Sequence, residues 1–309
     1  MHVQIAISED TAAIYRLLDN ARHTRLTMGN EDLTDAISTG RVLLLKEDDH
    51  QTQQQPSGML VIVAEDRPLS LPECAPSRVY LRGVAFGRNL SPTTGLQHLL
   101  QAFTTISPAP PHPRQLIAYG GEGWLDRALR DAGMTLADRV QYFALERLQT
   151  RTWPTHPASI ACTIRDATPA DLAPLTALDN LAFDPLWRYA PRHLHDALLS
   201  GPLLLAHIGA DLIGYIALLL ARESCTIARL AVHPNYQGQG CGRALLLAGL
   251  QLAQAWGCGR ALLNTQATNH RSQQLYRSLG FRPTGESFAV FVLDLPAPAP
   301  REVSVECAA

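Results

Sequence analysis

The sequence predicts an α/β protein, a mixed sheet flanked by helices, and predicts it twice along the chain. Three observations carry this reading. Short apolar runs bounded by Gly, Pro or polar clusters recur between stretches of helical spacing. One such run, residues 230–232, is stopped by Pro234 and followed by a glycine-rich loop that opens an apolar helix. The same residue types also return at a fixed distance: Gly95 and Gly242, Leu99 and Leu246, Arg130 and Arg277, and Gly133 and Gly280 each lie 147 positions apart. Constant spacing across two separate segments marks an internal repeat. Residues 1–148 and 160–295 are therefore expected to be two copies of one fold, joined by a linker over 149–159 and followed by a disordered tail over 296–309.

In the first copy residues 3–7 alternate as a strand, Ser8 to Thr11 offer cap chemistry, and 12–21 form a helix with Ile14, Leu17 and Leu18 on one face. Asn30, Glu31 and Asp32 start a short helix. Residues 41–46 and 59–64 read as strands, joined by a polar, Gln-rich loop expected to be mobile. A second irregular insertion covers 68–76. Residues 78–86 are a strand, 96–103 a helix, 108–113 a proline-rich loop, 116–119 a strand, 125–132 a helix and 142–148 a closing strand. In the second copy 162–166 is a strand, and Thr168-Pro169-Ala170-Asp171 starts a helix over 172–181 with proline in its first turn. A helix over 193–199, strands over 203–208, 212–221 and 224–232, and a helix over 244–256 follow. A strand over 261–265, a helix over 272–279 and a strand over 288–295 complete it.

Composition bounds the function. A chain of 309 residues with 46% hydrophobic and 17% charged content suits two globular domains. A net charge of −2 leaves no electrostatic footprint for nucleic acid. No apolar run is long enough for a membrane span, and the first ten residues lack a signal-peptide core. The six cysteines (Cys74, Cys162, Cys225, Cys241, Cys258 and Cys307) form no Cys-x-x-Cys pair, which points to a reducing cytoplasm with neither a zinc site nor a disulfide scaffold.

The chemistry concentrates in residues 230–247. Gly238, Gly240 and Gly242 alternate just before the helix. Glycines there let a ligand approach the main chain, and the free N–H groups and dipole of a helix start favour an anion. The loop has neither the Gly-Lys-Ser/Thr of a P-loop nor the downstream acid of a dinucleotide fold. With Gln237, Gly240 and Gly242 in a Gln/Arg-x-x-Gly-x-Gly/Ala pattern, and Asn269, Leu275, Tyr276, Gly280 and Phe281 in an Asn-x-x-Ser-x-x-Leu-Tyr-x-x-x-Gly-Phe segment, the second copy resembles the GCN5-related N-acetyltransferase (GNAT) superfamily.

That resemblance implies two tandem GNAT-like acyl-CoA N-acyltransferase folds with acetyl-CoA as cosubstrate and no metal. It implies a cleft between splayed strands in which Leu230, Ala231 and Val232 hold the pantetheine arm. Gly238, Gln239, Gly240, Cys241, Gly242 and Arg243, with Gln237, would cradle the pyrophosphate. Asn269 would bond the arm from the other side, and Tyr276 would sit by the sulfur as general acid. An ordinary phenol near 10 can protonate a thiolate whose acid lies near 8.5. Family members often carry a glutamate base where this chain has Thr226 and Asn264; Glu223, Asp184 and His233 are the remaining candidates. Residues 183–189 would wall the acceptor site.

The first copy has Leu90, Ser91, Pro92, Thr93 and Thr94 where the second has Gln237, Gly238, Gln239, Gly240 and Cys241. Pro92 removes a donor and the β-branched threonines resist positive φ, so this copy reads as catalytically silent. The tandem layout is similar to that of the mycothiol synthases. The expected protein is a cytoplasmic N-acetyltransferase acting on a small-molecule or peptide amine. It is expected to bind no nucleic acid or membrane and to act as a monomeric pseudo-dimer, with a homodimer open. The other open reading is a non-catalytic acyl-CoA-binding regulator.

Overall fold

The computed structural model describes residues 1–47, 55–65, 75–106, 112–153 and 162–295. The core of the Gln-rich loop, most of the 68–76 insertion, most of the proline-rich loop, the later linker and the 296–309 tail lie outside the described residues. The chain divides into two compact units, Met1–Ala137 with the stretch from Ala289, and Asp138–Phe288.

Unit 1 contains β1 (His2–Ile5), α1 (Thr11–Asn20), β2 (His23–Leu26), α2 (Asn30–Ser38), β3 (Val42–Lys46), β4 (Pro56–Ala64), β5 (Ser77–Phe86), α3 (Pro92–Ile106), β6 (Arg114–Tyr119) and α4 (Gly123–Asp131). Its sheet runs β1-β3-β4-β5-β6, antiparallel except for the parallel β5–β6 pair. Ile14, Leu33 and Ile37 pack α1 and α2 on one face against Leu44, Met59 and Val61. Leu96, Leu99, Leu125 and Leu129 pack α3 and α4 on the other. The apolar stripes of these helices, repeating every three to four residues, are what bury them there.

The chain leaves unit 1 within β7 (Thr135–Leu145). Unit 2 then contains β8 (Thr163–Asp166), α5 (Leu172–Ala182), α6 (Pro191–Ser200), β9 (Leu203–Ile208), β10 (Asp211–Leu220), β11 (Ser224–Val232), α7 (Cys241–Trp256), β12 (Arg260–Gln266), α8 (His270–Ser278) and the start of β13 (Arg282–Leu295). The order β8-β9-β10-β11-β12 is again antiparallel up to a parallel β11–β12 pair.

The compact units do not follow the boundaries expected from the 147-residue spacing. The last strand of each expected half completes the sheet of the other unit. In unit 2 Val140–Leu145 of β7 lie antiparallel against β12. In unit 1 Val290–Leu295 of β13 lie antiparallel against β6, with Ala289 and Phe291 inside its core. Residues 148–153 are likewise part of unit 2 and not free linker: Leu148 is buried, its N–H bonds Gly259 O at 2.7 Å, and Trp153 Nε1 donates to Gln254 Oε1. The closing strand read as 142–148 is 135–145, and α7 starts three residues earlier than its apolar run.

This exchange has a measurable consequence. Phe291→Ala should cost about 3–5 kcal/mol, the range for truncating a buried aromatic. Amide exchange should then quicken in β6 of unit 1 while β11 and β12 of unit 2 keep their protection.

Candidate functional site

Strand β11 sets the site. Its parallel ladder with β12 runs from Ser224–Arg260 to Ile227–Leu263 and stops. On its other edge β11 stays paired with β10 as far as Val232–Gly214, with one irregularity: Ala217 opposes Arg229 while Leu218 opposes Ile227. Ala228 is therefore an extra residue, a β-bulge, and one extra residue flips every later side chain to the opposite face. Cys225 and Ile227 pack with α7, whereas Ala231 packs with α5 and α6.

Beyond the bulge the β12-side edge of Leu230–Val232 opens into a cavity of about 610 Å³. Leu230, Ala231, Val232, Gln237, Gly238, Gly240, Gly242, Arg243 and Asn269 all line it, so nine of the residues expected from sequence meet on one surface. Gly238 and Gly240 take φ of 81° and 93°, left-handed values that side chains with a Cβ avoid. Gly240 is the N-cap of α7. The first i→i−4 bond is Ala244 N to Gly240 O at 3.0 Å, so the N–H groups of Cys241, Gly242 and Arg243 precede the helical ladder.

Gln237 ties the turn to the strand, its Nε2 donating to Val232 O at 3.1 Å. Its Oε1 accepts from Arg271 Nη1 at 2.8 Å. Arg271, which the sequence reading did not single out, thereby brings a second guanidinium to the cavity beside Arg243. Asn269 caps α8, its Oδ1 accepting the Ser272 N–H at 3.1 Å, which orients the amide.

Three expected residues stand behind this surface. Gln239 Nε2 bonds Asn235 O within the turn. The Cys241 side chain is buried in the core under α7, and burial pushes its thiol up to about 12. Tyr276 is only 6% exposed, with its ring against Phe143 and Phe281. Burial pushes its phenol up to about 12, opposed by the nearby Ser272 side chain and by the Arg229 charge. Ser272 lines the cavity one helical turn before Tyr276.

Among the base candidates, Asp184 lines the cavity. His233 ends the strand, its Nδ1 accepting the Asn235 N–H at 3.2 Å. Glu223 sits in the exposed turn before β11, and Thr226 and Asn264 lie in the strands away from the cavity lining. Leu181, Ala182, Phe183 and Trp187 supply the wall beside Asp184. The whole is a groove with a free strand edge, a cationic glycine turn at one end and an aromatic wall with one carboxylate. It suits an extended ligand that carries an anion at its far end.

Residues 172–281 match the family model described as acetyltransferase (GNAT) family. The chain is 30% identical over 74 residues to a putative ribosomal-protein bS18-alanine N-acetyltransferase of Bacillus subtilis, covering 24% of this chain and 49% of that protein. It is 29% identical over 134 residues to N-acetyltransferase family 8 member 3 of Rattus norvegicus, covering 38% and 59%. The chain thus spans about half the length of the curated relatives it matches. A GCN5-related N-acetyltransferase structure from Sphaerobacter thermophilus superimposes with a TM-score of 0.60 over 96% of both chains; at 14% identity the likeness is one of fold. Residues 172–281 are thus similar to the GNAT acetyltransferase family, in sequence by the family match and in fold by the likeness to the Sphaerobacter structure.

Proposed function

We propose that unit 2 is an N-acetyltransferase that binds acetyl-CoA along the open edge of β11 and transfers its acetyl group to the amine of a small molecule or peptide. The observation that carries the reading is the run from the unpaired Leu230–Val232 edge into the Gly238–Gly240 turn, flanked by Arg243 and Arg271. Backbone groups of such an edge match the amides of a pantetheine arm. The helix start and two guanidiniums match its phosphates. Acetyl-CoA supplies the activated acetyl thioester.

The amine attacks the thioester carbonyl directly. A C–N bond forms, the C–S bond breaks, and no covalent enzyme intermediate is needed. Asp184 receives the proton that the ammonium must shed. Tyr276 donates to the departing sulfur. With its phenol near 12, Tyr276 holds its proton throughout the neutral and mildly alkaline range. Turnover should therefore show no alkaline fall there on its account. A donor that weak acts chiefly by hydrogen bonding the developing thiolate and less by completing the transfer, since the thiol itself lies near 8.5.

Unit 1 is read as the silent copy of a tandem pair. At the place matching the open edge, 147 positions earlier, Gly83–Phe86 of β5 are paired with β2: His23 opposes Phe86 and Leu26 opposes Gly83. The chain's own backbone thus takes the bonds that a pantetheine arm would need. Phe86 and Leu90 fill the space under the loop, where a Cβ on Gly95 would meet Phe86 at 2.6 Å. Trp124 packs on Phe86 and His23, at the position matching Arg271. None of these groups attracts a phosphate.

Release of free thiol from acetyl-CoA, measured with a panel of amines, tests the reading. Turnover with at least one amine is expected; saturable binding with no release for any amine would instead support a regulator. Gly240→Val places a β-branched residue at φ 93°, a strain of about 1–2 kcal/mol at a turn that must also admit the ligand. Calorimetry should then detect no acetyl-CoA binding. Tyr276→Phe should lower kcat by roughly 10²-fold, as for loss of a general acid, with coenzyme affinity retained. Unchanged kcat would remove Tyr276 from the mechanism.

A further inference from the structure

A buried charge network that no part of the proposed mechanism uses lies directly behind the cavity. Asp179, in the last turn of α5, is fully buried. A buried carboxylate is costly unless paired and fully bonded, and this one is both. Arg229 Nε and Nη2 each reach it at 2.8 Å, Tyr215 OH donates to it, and the Tyr189 N–H donates to Oδ1 at 2.7 Å. Arg229 does more than pair. Its Nη2 also donates to Trp187 O at 2.8 Å. Its guanidinium lies between the rings of Phe183 at 3.5 Å and Tyr189 at 3.9 Å, a stacked geometry open to Arg and not to Lys.

Apart from the Asp179–Arg229 pair itself and Tyr215, these contacts fall on residues 183–189, and Phe183, Asp184 and Trp187 of that segment line the cavity. Arg229 itself immediately precedes the open edge Leu230–Val232. The bulge at Ala228 is what turns it toward α5. Unit 1 offers an internal contrast. Arg82, 147 positions before Arg229, also donates to a carbonyl in the segment after the unit's first long helix, Thr27 O at 2.6 Å. There the segment lies down on β5 as β2.

We propose that the Asp179–Arg229 pair, completed by Tyr215, is a positioning clamp that fixes residues 183–189 beside β11 as the wall of the acceptor site. It fixes where the amine enters. The clamp touches neither the acetyl donor nor the reacting atoms, and its catalytic meaning rests on the acetyltransferase reading above.

The test uses the full chain with Arg229→Lys, which keeps a charge for Asp179 but lacks the fork and the flat stacking face. Tyr215→Phe serves as a milder second variant should the first fail to fold. Amide exchange over residues 183–190 reads the clamp without any activity. It should quicken by about tenfold or more in Arg229→Lys, the order expected for loss of a charged hydrogen bond, and by less in Tyr215→Phe, while α7 and β12 are unchanged. With an amine that turns over, the KM for that amine should rise about tenfold, with acetyl-CoA affinity kept within about twofold. Unaltered exchange at 183–190 in both variants overturns the clamp. So does a change confined to acetyl-CoA affinity. If the unaltered protein turns over no amine, the acetyltransferase reading fails separately, and the exchange result still decides the clamp.

Discussion

The parting of β11 from β12 after Ile227 and Leu263 is the constraint on which the site depends. A parallel pair that ended together would leave no free edge. Here β12 turns away with its partner β7, while β11 continues against β10 to Val232. The bulge at Ala228 does two things at that point. It exchanges the faces, so that Leu230 and Val232 pack toward α7 and Ala231 toward α5. It also sends Arg229 into the buried pair with Asp179. The Gly238–Gly240 turn then brings the start of α7 to the end of the open edge. Strand edge, helix start and acceptor wall are thus set by three consecutive local features of one strand.

Unit 1 carries the same strand order and the same parallel pair, yet β2 occupies the matching edge of β5. The difference lies in a few side chains. Leu90 stands in place of Gln237, Thr93 in place of Gly240 and Trp124 in place of Arg271, while β2 pairs with the edge that remains open in unit 2. Each change replaces a group able to meet an anion or an amide with apolar or already bonded matter. The added strand and these few side chains separate two units that otherwise share one strand order.

Local signals in the sequence were legible and long-range ones were not. The glycine turn and the apolar stripes of α1, α7 and α8 depend on neighbours a few residues away, and their residue types announce them. The early start of α7 was missed because Cys241, Gly242 and Arg243 interrupt its apolar pattern. Strand β2 was missed because His23-Thr24-Arg25-Leu26 has no alternation of its own; it exists through pairing with β5. The exchange of β7 and β13 leaves no mark in composition, since each strand would look the same in either sheet. Arg229 and Asp179 were passed over for a related reason. A single Arg in an apolar strand reads as a surface residue, and only the unseen bulge turns it inward to a carboxylate fifty positions earlier in the chain. Tyr276 was placed correctly along the helix, but its burial behind Ser272 depends on Phe143 and Phe281 closing over it.

A structure of the chain crystallised with acetyl-CoA tests the central claim most directly. The account predicts one ligand per chain, in unit 2. Its pantetheine amides should lie against Leu230–Val232, its phosphates on the Gly238–Arg243 turn, and its sulfur within hydrogen-bond reach of the Tyr276 hydroxyl. Acetyl-CoA on β5 of unit 1, or in unit 2 with its sulfur remote from Tyr276, would contradict it.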